Sequence, residues 1–226
     1  MRLNADLDQP VFVHAARLDW VPSPAAGVDR RMLYREGAEV ARASSIVRYA
    51  PGSAFPEHVH SGGEEILVLE GIFQDEHGDY PAGSYFRNPP GTAHSPAAAK
   101  GCIIFVRLWQ YRSGDDAQIN RQPDDGQPMP HRPGAVATRL LFEDIAERVW
   151  IEDWAPGVDI GIENAEGLEF LLVAGTARIN GETCAPQSWG RLPAGQVFSA
   201  SVGSDGARIW IKASPPQHAD VLKIPA

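Results

Sequence analysis

His58-Val59-His60-Ser61-Gly62-Gly63-Glu64-Glu65-Ile66-Leu67-Val68-Leu69-Glu70-Gly71 decides how this chain folds. Side chains two apart on a strand share a face, so His58 and His60 project into one interior. Ser61-Gly62-Gly63 is a turn signal, and the run from Glu64 to Leu69 is a strand closed by Gly71. A hairpin of that kind folds Glu64 back beside the two histidines. A second frame follows, Gly83-x5-Pro89-x-Gly91-x2-His94, whose turn Asn88-Pro89-Pro90-Gly91-Thr92 leads into a strand carrying His94. Short strands and tight turns that bring four donors together predict antiparallel strands lining one barrel.

Three imidazoles and one carboxylate at these spacings suit a divalent metal. A lone histidine on a strand is more often a hydrogen-bonded core or surface residue, but four donors in one frame reverse that balance. Glu64 and Glu65 are adjacent; counting back from Gly71 and forward from His60 selects Glu64. His14, His77, His131 and His218 lack such partners and are expected in solvent. The N/O donor set leaves zinc, iron(II), manganese and nickel open, because affinity alone does not select among them. Four protein ligands close a tetrahedral site, whereas on an octahedral ion they leave two positions for a small molecule. No catalytic residue is assigned.

The two frames resemble the paired signature motifs of the cupin superfamily, whose fold is a small β-barrel of jelly-roll type. Every fixed position falls on its residue except the last, where Ala98 replaces the usual Asn, which is not usually a ligand.

Sliding the sequence against itself exposes a tandem duplication. Tyr49-Ala50-Pro51-Gly52 matches Trp154-Ala155-Pro156-Gly157, and Glu65-Ile66-Leu67-Val68-Leu69-Glu70-Gly71 matches Glu169-Phe170-Leu171-Leu172-Val173-Ala174-Gly175. Pro89-Pro90-Gly91 matches Pro193-Ala194-Gly195. The fold class expected is therefore all-β, two tandem cupin (jelly-roll-type) barrels. Residues 1–115 form the metal-binding barrel, 116–135 a polar, Pro-rich linker, and 136–226 a second barrel lacking the ligands. In this alignment His58 falls on Glu163, His60 near Ala165, Glu64 on Leu168 and His94 on Phe198. Leu140–Val149 has helix-like spacing, but its counterpart Met32–Val40 carries a glycine, so both are expected as hairpins.

With 226 residues, either one large or two small β domains could bury a core. The 22 glycines and 19 prolines fit an architecture of many turns. A net charge of −9 argues against nucleic acid as a direct partner, since phosphate contacts need a basic surface. Cys102 and Cys184 stand alone, and Cys102 opens an apolar run, which suggests reduced core thiols and a cytoplasmic location. The first residues lack a secretory apolar core, and no apolar run is long enough to span a bilayer.

Among cupins, the stretch from Pro51 to Gly71, with Asp79-Tyr80-Pro81-Ala82-Gly83 and Pro90-Gly91-Thr92-Ala93-His94-Ser95, resembles the cupin half of ChrR-type zinc anti-sigma factors. That resemblance implies His58, His60, Glu64 and His94 as ligands of one zinc ion, in a cupin that relays an oxidative signal. The His-x3-Cys-x2-Cys arrangement of the sigma-binding arm does not occur in the chain. The expectation is a sensor-type cupin without that arm. The rival is an iron(II)- or manganese-dependent dioxygenase acting on a small enolisable or diketone-like molecule, with Phe55, Phe73, Tyr85 and Phe86 as candidate pocket walls. A homodimer is compatible with either, because cupins often pair through strand edges.

Overall fold

The computed structural model describes residues 1–38 and 40–225. Strands dominate, and among the described residues the helical element is the single 3-10 turn Ala15–Arg17. The chain divides into two compact units, each built as an antiparallel sheet whose hydrogen-bonded path stays open rather than closing into a ring.

In the first unit the strand order is Val28–Gly37, Ala41–Tyr49, Cys102–Leu108, Glu64–Asp75, Tyr85–Asn88 and Ile119–Arg121. A separate two-stranded ladder joins His58–Val59 to Ala93–His94. In the second unit the order is Ala135–Glu143, Arg148–Trp154, Phe198–Ala213, Gly167–Ile179, Ser188–Pro193 and Val11–His14. The first five strands of each order correspond one to one. The helix-like stretch and its first-half counterpart are both hairpins, as the repeat requires: Ala135–Glu143 turns into Arg148–Trp154, and Val28–Gly37 into Ala41–Tyr49. Glu39, in the second of these, lies outside the described residues.

The unit boundaries differ from the sequence expectation. Residues 6–17 belong to the second unit, where Val11–His14 pairs with Ser188–Arg191, and Phe12 meets Phe170 edge-on with ring centroids 5.7 Å apart. Residues from Ala219 onward belong to the first unit, through an Arg112–Val221 bridge and a bond from the Leu222 amide to the Tyr111 carbonyl. Part of the stretch expected as a linker forms strands. Ile119–Arg121 pairs with Tyr85–Arg87 in the first unit, and Gln127–Pro128 with Arg139–Leu140 in the second. Polar, Pro-containing sequence is as suitable for an edge strand as for a tether, because an edge leaves one row of backbone groups to solvent.

The Glu64–Asp75 strand runs past Gly71, where a strand end was expected. Gly71 sits at φ 72°, and a Cβ there would lie 2.3 Å from the Gly101 carbonyl oxygen, so the bend needs glycine. The interior behind it is apolar and aromatic: Ile66, Val68, Phe73, Tyr80, Phe86 and Ile104 are buried together.

A buried salt-bridged network recurs in both units. Glu65 lies between Arg87 and Arg107 across its two ladders, accepts a 2.7 Å bond from the Tyr85 hydroxyl, and pairs with Arg107. In the second unit Glu169 lies between Arg191 and Lys212 and accepts a 2.7 Å bond from the Trp189 indole. Glu65 is thus a structural carboxylate on the face opposite Glu64.

Candidate metal centre

His58, His60 and His94 each offer a ring nitrogen, and these atoms lie within 4.8 Å of one another. The ladder places His58 directly across from His94, and the three ring centroids are 4.6 to 5.2 Å apart. Glu64 joins from the start of its strand, with Oε2 3.3 Å from His60 Nε2 and 3.6 Å from His94 Nε2. Glu64, His60 and His94 are buried, whereas His58 is exposed. All four residues singled out in the sequence are brought together.

Hydrogen bonds fix which nitrogens face inward. The Thr92 hydroxyl donates its one proton to the Pro89 carbonyl at 2.7 Å, so at 2.9 Å it can only accept from His60 Nδ1. His60 Nε2 therefore carries a lone pair. That lone pair looks at Glu64 Oε2, and neither buried atom has a hydrogen-bond partner. Two acceptors facing each other at 3.3 Å without a donor between them leave room for a cation. Donors bound to one ion at about 2.1 Å and spread around it stand roughly 3.2 Å apart.

His94 is held the same way. Its Nδ1 lies 3.3 Å from Asp75 Oδ2, which leaves Nε2 toward Glu64. His58 Nδ1 lies 3.5 Å from the Pro56 carbonyl. Outer partners of this kind set the tautomer and raise the basicity of a ligating imidazole.

The electrostatics follow from burial. Desolvation, with His94 and His58 adding repulsion, pushes the His60 pKa down to about 4 and keeps the ring neutral. Desolvation also raises Glu64, against the attraction of His94 and His58 and a hydrogen bond from Asn88. Burial alone would lower His94, but the bond to Asp75 and the charge of Glu64 outweigh it, and its pKa is raised. An isolated carboxylate is costly at this depth, and a divalent ion would relieve it. The donor set therefore suits a divalent cation.

Asp75 and Thr92 were not singled out in the sequence. Asp75 caps the backbone of His77 in its turn, so its sequence context signals a turn rather than a site. Thr92 stands two residues before His94 and signals only the turn after Pro89-Pro90-Gly91. Of the four expected wall residues, Phe73 is buried against His94 with centroids 5.7 Å apart, and Phe86 stacks behind it on Phe73. Phe55 packs on Tyr49. Tyr85 belongs to the opposite face with Glu65, because neighbours on a strand alternate. Two histidines expected in solvent are not there. His218 is buried beside Glu147 at 3.3 Å, and half-buried His14 contacts the Ser188 hydroxyl at 3.2 Å.

In the second unit the ladders correct the alignment by one residue. Phe198 pairs with Ile162 as His94 pairs with His58, and the Gly195 amide bonds the Asn164 carbonyl as Gly91 bonds that of His60. His58 thus corresponds to Ile162 and His60 to Asn164, not Glu163 and Ala165. Glu64 corresponds to Leu168 and His94 to Phe198, as expected. Ile162, Leu168 and Phe198 are buried in one apolar core, and the Asn164 amide is spent on the Pro193 and Gln196 carbonyls. Burying such apolar side chains contributes about 2 kcal/mol each, which makes an ion unnecessary there.

These features define an all-β fold compatible with a jelly roll and carrying a candidate histidine-rich cation site. Residues 8–112 match the family described as ChrR cupin-like domain. That match covers less than half of the chain, whose first part resembles the ChrR cupin domain. No curated protein matches it in sequence. Among solved structures, it is similar to a putative dioxygenase from Nostoc punctiforme (TM-score 0.70, 16% identity, 97% of this chain and 88% of that one). It is also similar to the bacterial pirin YhhW of Escherichia coli in complex with nickel(II) (0.66, 14%, 92% and 100%). A third is the oxalate decarboxylase of Lactobacillus farciminis in its formate complex (0.66, 12%, 93% and 87%). At these identities the likeness is one of fold.

Proposed function

We propose that this chain is a metal-binding bicupin in which His58, His60, Glu64 and His94 hold one zinc ion in the first unit, with a role akin to the sensor cupin of ChrR-type regulators. The carrying observation is the orphaned pair of His60 Nε2 and Glu64 Oε2, two acceptors 3.3 Å apart in a buried site. The family match over residues 8–112 supports the sensor reading, and two free, buried thiols support a cytoplasmic setting. The test is elemental analysis of protein purified without added metal, together with X-ray absorption spectroscopy. One zinc per chain with four N/O ligands is expected. Protein that retains no divalent metal would overturn the reading.

The second reading is an iron(II)- or manganese-dependent dioxygenase. It is favoured by the exposure of His58, which would leave one side of a bound metal open to a small molecule. Iron with oxygen uptake dependent on an enolisable substrate would establish it in place of the sensor. Co-purification with a sigma factor would extend the sensor reading to a regulatory partner.

A further inference from the structure

Trp109 lies against the turn that joins His60 to Glu64. A Cβ on Gly62 would stand 1.9 Å from Trp109 Cδ2 and 2.3 Å from its Cγ, so the indole rests directly on the Gly62 backbone. Gly63 has φ 77° and needs glycine for its conformation, whereas Gly62 lies outside the left-handed region. Glycine at position 62 is therefore explained by the ring upon it rather than by the turn. Beside it, Tyr111 rests on Gly63, and its hydroxyl donates to the Glu64 carbonyl at 3.0 Å.

Holding the indole there costs backbone strain. Trp109 has φ 60°, a left-handed conformation that bulky side chains rarely adopt. The other non-glycine residues in that region, among those described, are Asn4, Asp124, Asn180 and Gln187, all of them polar. Strain of this kind persists where the surroundings impose it, and it concentrates at binding sites.

The second unit supplies the comparison. Its Ser214 amide bonds the Gly167 carbonyl at 3.1 Å as the Trp109 amide bonds that of Gly63 at 3.2 Å, so Ser214 takes the place of Trp109 and Glu166 that of Gly62. Ser214 is outside the left-handed region, and Glu166 is exposed. The strained aromatic and the bare glycine occur together in the unit that carries the donors, and both are replaced in the unit that lacks them.

We propose that Trp109 is a positioning residue of the metal centre, its indole clamping Gly62 so that His60 and Glu64 keep the spacing a cation requires. This role rests on the metal-binding reading of His58, His60, Glu64 and His94.

Zinc affinity by chelator competition and the cobalt(II) absorption spectrum of the full chain test it. Trp109→Gly, which suits the backbone but frees the turn, should weaken zinc about tenfold and shift the cobalt bands. Trp109→Phe, which keeps a ring over Gly62, should recover most of that loss. Gly62→Ala should weaken zinc by itself and cost nothing further when combined with Trp109→Gly, because the methyl then has room. It also leaves the tryptophan intact, so it decides the matter if Trp109→Gly does not fold. Wild-type affinity and spectrum in Trp109→Gly, fully additive losses in the double variant, or wild-type affinity in Gly62→Ala would each overturn the proposal. If wild-type protein binds neither ion, the metal centre fails and this role with it. If it binds both and Trp109→Gly matches it, this role alone fails.

Discussion

Asp75 Oδ2 lies 3.3 Å from His94 Nδ1, at the far end of the strand that begins with Glu64. One bent strand thus touches both nitrogens of a single imidazole: Glu64 beside Nε2 and Asp75 on Nδ1. The Gly71 bend makes this possible.

Asp75→Asn removes the charge that holds His94 while leaving every proposed ligand in place. A loss of about 10- to 100-fold in metal affinity is expected, measured by competition with a chromophoric chelator, with the fold intact. Unchanged affinity would show that Asp75 serves only its turn.

His60→Ala should abolish stoichiometric metal, and Phe198→Ala should leave it unchanged. The second change should instead cost about 3–5 kcal/mol of stability by opening a cavity between Trp154 and Phe170. Equal metal loss in both variants would mean that the halves have been assigned wrongly.

Glu64 and Glu65 separate in the same assay. Glu64→Gln should lower metal content with modest change in stability. Glu65→Gln should retain metal and lose stability, because Arg107 would be left buried without its counter-charge, a change costing about 3–5 kcal/mol.

Metal affinity should rise with pH. The metal needs His94 Nε2 and Glu64 deprotonated, and both groups have raised pKa values without it, so binding expels protons. His60, lowered to about 4, is neutral from mildly acidic pH upward and contributes no proton there. Affinity should therefore fall as pH drops through the raised His94 value and level off above it. A pH-independent affinity between pH 5 and 8 would contradict this donor set.

Chelation should leave a folded protein. Both units have apolar cores independent of the ion, so far-ultraviolet circular dichroism should be retained and only the melting of the first unit lowered. Complete unfolding on chelator addition would show that the ion is a folding requirement.

The donor frame was legible because strand alternation and glycine turns constrain His58, His60, Glu64 and His94 strongly. The repeat was legible because Pro-Gly turns and the Glu65/Glu169 strands survive in both halves. One-residue offsets were not: assigning His58 to Glu163 rather than Ile162 needs the hydrogen-bond ladder, since a slip of one inverts every face. Asp75 stayed hidden because its strand was expected to stop at Gly71, and only the bend brings it round to His94. His218 stayed hidden because its partner Glu147 is 71 residues away in sequence.

The strand Val11–His14 seals the sheet of the unit formed by residues 125–218, while Val221 and Leu222 bond to Arg112 and Tyr111 in the other. Cutting the chain between Asp124 and Asp125 would therefore not yield two self-sufficient pieces. The downstream fragment would expose Phe170 and the open edge at Ser188–Arg191, an invitation to foreign strands. A faithful dissection of this molecule requires grafting residues 6–17 onto the later half.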